Sequence, residues 1–281
     1  MNYFRFFRFG WHRSLSVGSK LKKVVYFVLG DPATPTQIRI HPFLLWMRNI
    51  QVSNALDIGI SHGSLIYYLA DEYRNANVYG VDVVDEFIEE SMKIKFRCGE
   101  VYANVTIVKC DIQKPITFGS AFDLVTMFDV LEHIKDYDAC LKNISEKMRG
   151  GGILAVGTPY CEDGGVPVQE EKGALHVEHI DHEWKGFSAE SIKAILARHG
   201  FVIIRDLSGF GYFGRTALKM FYFFTINHSK EQLTDVTPTY NKIPIFFLLF
   251  YPLIYFFVCL DVVMKIKNDK TGHCLVIAKK L

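Results

Sequence analysis

The stretch Ala55-Leu56-Asp57-Ile58-Gly59-Ile60-Ser61-His62-Gly63-Ser64 decides how this chain is read. Apolar residues up to Ile58 make a short strand, and from Gly63 to Tyr73 apolar residues recur at three- and four-residue spacing, as in a helix. Between them, small residues stand at alternating positions 59, 61 and 63. Glycine at 59 and 63 carries no Cβ to block a bound molecule, so backbone can approach a ligand closely. Asp57, at the strand end, can accept hydrogen bonds from the ammonium of an amino-acid moiety. The pattern is D-x-G-x-S-x-G, whereas a dinucleotide fingerprint needs G-x-G-x-x-G, and the last glycine of that fingerprint is missing. A nicotinamide cofactor is disfavoured for that reason.

Outward from this loop, Val- and Ile-rich runs alternate with helical stretches from residue 54 to 206, the signature of a parallel sheet with crossover helices. Strands are expected at Ala55 to Ile58, Asn77 to Val81, Val105 to Val108, Phe122 to Met127, Gly152 to Gly157, Phe201 to Arg205 and His273 to Ala278. Seven strands fit one sheet. Helices are expected at Gly63 to Tyr73, Asp85 to Phe96, Tyr137 to Met148 and Ser188 to His199, where Ser188, Glu190 and Ser191 look like a helix start. The fold class is therefore α/β, doubly wound, with helices on both faces. Residues 209–267 break the rhythm as an apolar helical insertion before the last strand. The chain divides into a basic, aromatic N-terminal helical segment (1–48), a ligand-binding domain (49–208 with 268–281) and the insertion (209–267).

Acids recur at the strand ends. Asp82 lies twenty-five residues after Asp57 at the end of the second strand, where a carboxylate can accept both hydroxyls of a ribose. The third strand ends in Cys110-Asp111-Ile112, and an acid there can accept from an adenine amino group. The fourth runs Phe122-Asp123-Leu124-Val125-Thr126-Met127-Phe128-Asp129-Val130-Leu131-Glu132-His133. A single strand-end aspartate is most simply a helix N-cap or a solvated end. Several in this order, after a glycine-containing loop, lie along the sheet edge where open α/β folds bind ligands.

The segments ALDIGISHGS, VYGVDVVDEFIEES, VKCDI and FDLVTMFDVLEHI resemble the successive motifs of class I S-adenosylmethionine-dependent methyltransferases, over roughly residues 50–206 plus the last strand. Within that class the likeness is to the type 11, 12 and 23 group with a D-V-L-E-H-I fourth motif, which includes quinone-pathway, polyketide and glycan methyltransferases. The resemblance implies a Rossmann-like fold and S-adenosyl-L-methionine as cofactor. Carried over residue by residue, Asp57, Gly59 and Gly63 would contact the methionine part, Asp82 the ribose, and Asp111 with Ile112 the adenine; Ser61, Val83 and Phe128 complete the set. Ser61 departs from the family, which commonly has glycine there.

Methyl transfer from a sulfonium is an in-line displacement, so the protein mainly positions the acceptor and, for a hydroxyl, removes a proton. Glu132 and His133 follow the fourth strand, and a segment containing His176, His179 and His182 returns before the next helix. His133 and His182 are candidate bases, with Glu132 beside them. The competing reading has His133 packing the following helix and the later histidines in a polar loop. Asp129, Glu132, His133 and His182 also loosely resemble the acid-x-x-E-H plus distant histidine of small-RNA 3′-end methyltransferases, and such ligands suit Mg²⁺ or Zn²⁺. D-x-x-E-H is common in relatives without metal use, and Asp replaces the first Glu, so a divalent metal is not favoured.

Composition narrows the partners. The 281 residues are 49% hydrophobic and 22% charged, as expected of a globular chain. The net charge of +2 is too mild to argue for nucleic acid by itself, and no N-P-P-Y motif follows the fourth strand. Six scattered cysteines without a CxxC pair suit free thiols in a reducing compartment. No secretory signal is evident, since Val24 to Leu29 is too short an apolar run. From Met1 to Gly30 there are six basic residues (Arg5, Arg8, Arg13, Lys20, Lys22, Lys23), no acid and several aromatics, a block able to touch anionic lipid. In the insertion, Ile243 to Leu260 runs without a charge around Pro252. It is long enough to span a bilayer only barely, and a span would strand the last sheet strand on the far side. Two half-helices dipping into one leaflet, or packing on the protein, fit better. The expected acceptor is a small molecule or lipid-like compound met at a membrane surface, by a cytoplasmic protein that is peripheral or monotopic. The leading reading is O-methylation of a lipid-like, quinone or lipid-linked saccharide acceptor; the alternative is a cofactor-binding but inactive, membrane-associated assembly protein.

Overall fold

A computed structural model describes residues 9–30, 34–167, 183–209, 211–226, 250, 252–254, 256–257, 260 and 272–281. The strands are β1 (Asn54–Ile58), β2 (Asn77–Asp82), β3 (Val105–Lys109), β4 (Phe122–Phe128), β5 (Met148–Pro159), β6 (Phe201–Asp206) and β7 (His273–Lys280). All seven expected strands are present, in one sheet of order β3-β2-β1-β4-β5-β7-β6. β1 to β5 pair in parallel. The last strand, after the insertion, is the exception: β7 runs antiparallel to both β5 and β6.

The helices are α1 (Lys20–Leu29), α2 (Thr34–Trp46), α3 (Ser64–Glu72), α4 (Asp85–Cys98), α5 (Tyr137–Lys147), α6 (Ala189–Arg198) and α7 (Tyr212–Ile226). The sheet separates two cores. Leu56, Ile58, Val125 and Met127 point to one side, against Leu141 and Ile144 of α5 and Ile192 and Leu196 of α6. Ala55 and Leu124 point to the other, with Phe43 and Met47 from the α2 region, Ile66 and Leu69 of α3 and Ile94 of α4. Neighbouring strand residues thus serve opposite faces, and β1 is buried throughout. The helix start expected at Ser188 is a capping box: Ser188 Oγ accepts from the Ser191 backbone N–H at 3.1 Å, and Ser191 Oγ accepts from the Ser188 N–H at 3.0 Å.

The described cysteines are free thiols. The N-terminal segment is helical, but its basic block is not uniformly available. Arg13 is buried, with its guanidinium 4.9 Å from the centre of the Tyr26 ring, and Arg5 and Arg8 lie outside the described residues. In the insertion, the described residues of 250–260 are helical. Ile254 is fully buried, the Phe257 ring stacks on Phe213 at 5.9 Å, and Leu253 and Phe256 are exposed. Part of this apolar run therefore packs on the protein. Among the described residues no helix is long and apolar enough to cross a membrane.

Candidate cofactor and acceptor site

β1 carries Asp57 into register with Gly80 of β2 and Thr126 of β4. Beyond it the backbone turns tightly: the N–H groups of Gly59 and Ile60 donate to the Val81 carbonyl at 2.8 and 3.2 Å, and the Ser61 N–H donates to Asp82 Oδ2 at 2.9 Å. Gly59, Ser61 and Gly63 have φ of 74°, 46° and 83°, all left-handed. A Cβ on Gly59 would stand 2.3 Å from Val130 Cγ2. Ser61 thus holds a conformation that glycine adopts without strain, fixed through its amide by Asp82. His62 Nδ1 lies 2.6 Å from Glu90 Oε2, which ties the loop to α4 and lowers the Glu90 pKa.

The Asp57 carboxylate is 2% exposed. Thr126 Oγ1 donates to its Oδ1 at 2.7 Å, while Oδ2 is buried with no hydrogen-bond partner. Burial pushes its pKa up to about 8; the Thr126 bond opposes the rise and the neighbouring Asp82 adds to it. A buried acceptor without a donor is rare, and a cationic donor brought to Oδ2 restores ionisation. Asp82 is 7% exposed and holds the loop with both oxygens, Oδ1 accepting from the Val84 N–H at 3.0 Å. Val83 beside it is 55% exposed, an apolar surface at the strand end. Asp111 Oδ1 accepts from the Gln113 N–H at 3.0 Å, and Ile112 is buried. Asp57, the three small loop residues, Asp82 and Val83 are therefore one connected unit, with Asp111 and Ile112 on the neighbouring strand end.

A second group forms where β4, β5 and β7 meet. Phe128 packs on Phe43 of α2 with ring centres 5.2 Å apart. Asp129 is left-handed, with φ of 52°; its N–H donates to the Gly157 carbonyl, and Arg39 Nη1 donates to its Oδ2 at 2.7 Å. Burial raises its pKa, but the Arg39 guanidinium, by charge and hydrogen bond, holds it below the usual carboxylate range. His273 is itself pushed down to about 4 by burial and is neutral at pH 7, so Arg39 is the charge that keeps Asp129 ionised. Glu132 is 1% exposed and is pushed up to about 8, chiefly by burial and then by Asp129; Thr158 Oγ1 donates to its Oε2 at 3.2 Å. His133 follows on the turn Leu131–His133.

Of the candidate catalytic residues, Glu132 and the candidate base His133 stand beside Asp129, whereas the other candidate base, His182, lies outside the described residues. The backbone just beyond it does return to the site: the N–H groups of Glu183 and Trp184 donate to the Glu132 carbonyl at 2.9 and 3.0 Å. Among the described residues no three His, Cys, Asp or Glu side chains are placed to hold a metal ion. Arg39, Phe43, Thr126, Thr158 and His273 were not anticipated. No local pattern marks them. Arg39 and Phe43 reach the site through the packing of α2, Thr126 and Thr158 stand on β4 and β5, and His273 arrives through the direction of β7.

Residues 56–154 match the family model described as "Methyltransferase domain". The recognition made from the motifs is thereby confirmed: this segment carries a class I methyltransferase domain. The fold agrees. An O-methyltransferase from a trans-AT polyketide synthase of Brevibacillus brevis, solved with S-adenosyl-L-homocysteine, superposes with a TM-score of 0.55 at 16% identity over 96% of this chain and 79% of that one. The [4+2]-cyclase SpnF does so with a TM-score of 0.56 at 16% identity over 88% of this chain and 82% of that one. Among curated proteins, (S)-coclaurine N-methyltransferase of Thalictrum flavum subsp. glaucum is 28% identical over 145 residues, 50% of this chain and 38% of that protein. A ubiquinone biosynthesis O-methyltransferase of Chromobacterium violaceum is 26% identical over 176 residues, 58% of this chain and 70% of that protein. The chain thus spans well under half the length of the first of these relatives.

Proposed function

We propose that this protein is an S-adenosylmethionine-dependent methyltransferase that O-methylates a lipid-like, quinone or lipid-linked saccharide acceptor. The observation that carries the cofactor assignment is Asp57: a buried carboxylate oxygen with no donor, under a loop of left-handed small residues, one strand from Asp82. Asp57 fits an α-ammonium, Asp82 a ribose, and Asp111 with Ile112 and Val83 an adenine. When bound, the cofactor supplies an electrophilic methyl on a sulfonium.

The chain's own residues then position the acceptor and move its proton. Arg39 keeps Asp129 charged, and His133 takes the proton of a hydroxyl brought to it, beside Glu132, whose burial favours its protonated form. Oxygen as the methylated atom is supported by the quinone-pathway relative, most of whose length this chain covers. An apolar acceptor at a membrane surface fits the exposed Leu253 and Phe256 of the insertion. In this reading residues 49–208 and 268–281 bind the cofactor, and 1–48 and 209–267 serve acceptor and membrane.

Calorimetric titration with S-adenosylmethionine and S-adenosylhomocysteine tests it. The intact chain binds both, and Asp82→Ala weakens them roughly a hundredfold, the loss of two charge-assisted hydrogen bonds. No binding to the folded chain at millimolar ligand would overturn the assignment. Binding without transfer to any quinone or lipid acceptor would favour the inactive assembly protein.

A further inference from the structure

The outward face of α1 is the wrong way round for a helix facing water. Leu21, Val24 and Val28 are 61%, 60% and 59% exposed, and Phe27 is 54% exposed although its ring also meets Trp11 edge to face. At 100° per residue these four share one arc, with Lys20 inside it, Lys23 on its flank and Lys22 on the opposite side near Tyr26. The inward side is fixed by Tyr26, buried against Arg13. Ser19 Oγ accepts from the Lys22 N–H at 3.5 Å and closes the N-terminus of the helix.

We infer that α1 lies in the interface of an anionic bilayer, with Leu21, Val24, Phe27 and Val28 in the headgroup boundary and the lysines on lipid phosphates. This inference rests on the membrane part of the function proposed above. Charge selects the occupant. No acid occurs from residue 1 to 30, so the face offers nothing to a basic partner, and pairing two copies face to face would set lysines against lysines. A phosphate-bearing, apolar surface satisfies both halves of the face. The position serves the site as well. Residues 30–33 join α1 to α2, the helix that carries Arg39 to Asp129 and Phe43 to Phe128. An acceptor dissolved in the bilayer would then meet the site close to the surface that α1 occupies.

The experiment is flotation of the full chain with phosphatidylcholine vesicles, with and without phosphatidylserine, at low and high salt. The wild type floats with the anionic vesicles and loses binding as salt rises. Both L21S/V24S/V28S and K20E/K23E reduce the bound fraction about tenfold or more. S-adenosylmethionine titration and thermal melting, run on the same samples, stay at wild-type values and show that the variants fold. Three results would overturn the inference: equal binding to neutral vesicles, variants that float as the wild type does, or no vesicle binding together with a dimer that L21S/V24S/V28S dissolves. A chain that binds vesicles but no S-adenosylmethionine would leave α1 in the interface and remove the enzyme instead.

Discussion

Two carboxyls, Asp57 and Glu132, are each pushed up to about 8 by burial. A carboxyl whose folded pKa exceeds its unfolded value binds more protons when folded, so stability falls as pH rises from about 4 to about 8. The unliganded protein is therefore expected to melt at progressively lower temperature across that window, and Asp57→Asn to flatten the slope. A cation on Asp57 Oδ2 relieves the same penalty, so the melting shift given by S-adenosylmethionine should grow with pH in the wild type and not in D57N; melting curves at several pH values check both. Gly59 makes a steric prediction. Gly59→Ala adds a Cβ at a left-handed φ and drives it into Val130. A loss of about 2 kcal/mol or more in urea unfolding is expected, with cofactor binding impaired, and Val130→Ala should recover part of it by removing the clash.

At the scale of elements, α2 is the lid of the second cluster, and the Arg39–Asp129 pair joins it to the end of β4. Both side chains keep about a quarter of their surface, so the pair stands between an exposed bridge and a buried one. Arg39→Ala should cost roughly 2 kcal/mol and leave Asp129 without its cation. Because the Arg39 bond is made to Asp129 at the end of β4, cofactor affinity should hold while acceptor KM rises, a split that steady-state kinetics and calorimetry read separately. For α6 the capping box makes a smaller claim: Ser188→Ala should lower stability by about 1 kcal/mol in urea unfolding, and Ser188→Thr should keep most of it. That start was legible because capping is local, written within four consecutive residues. The Arg39 contact was not, since its partner is ninety positions away.

For the molecule as a whole, β7 is the keystone of the sheet. It lies between β5 and β6, and Leu275, Val276, Ile277 and Ala278 are fully buried. Burying three such large side chains contributes several kcal/mol, comparable with the entire stability of a domain this size. Removal of residues 273–281 should therefore abolish cooperative unfolding and cofactor binding together, as circular dichroism melts and titration would show. The loss reaches the site because His273, the first residue of that strand, packs against Gly157 beside Asp129 and Glu132.

The sequence by itself determined the layers of the fold, the loop from Asp57 to Gly63 and the acids at the strand ends. Each of these is a short-range pattern: apolar period, glycine spacing, a carboxylate where a strand stops. Only the tertiary structure decided that Thr126 occupies one oxygen of Asp57 and leaves the other bare, that Arg39 holds Asp129 ionised, and that β7 turns back to deliver His273. Those depend on which strands become neighbours and how much water they exclude. Burial and the charge of a far-off residue set protonation, and neither is encoded in the few residues around the group that titrates.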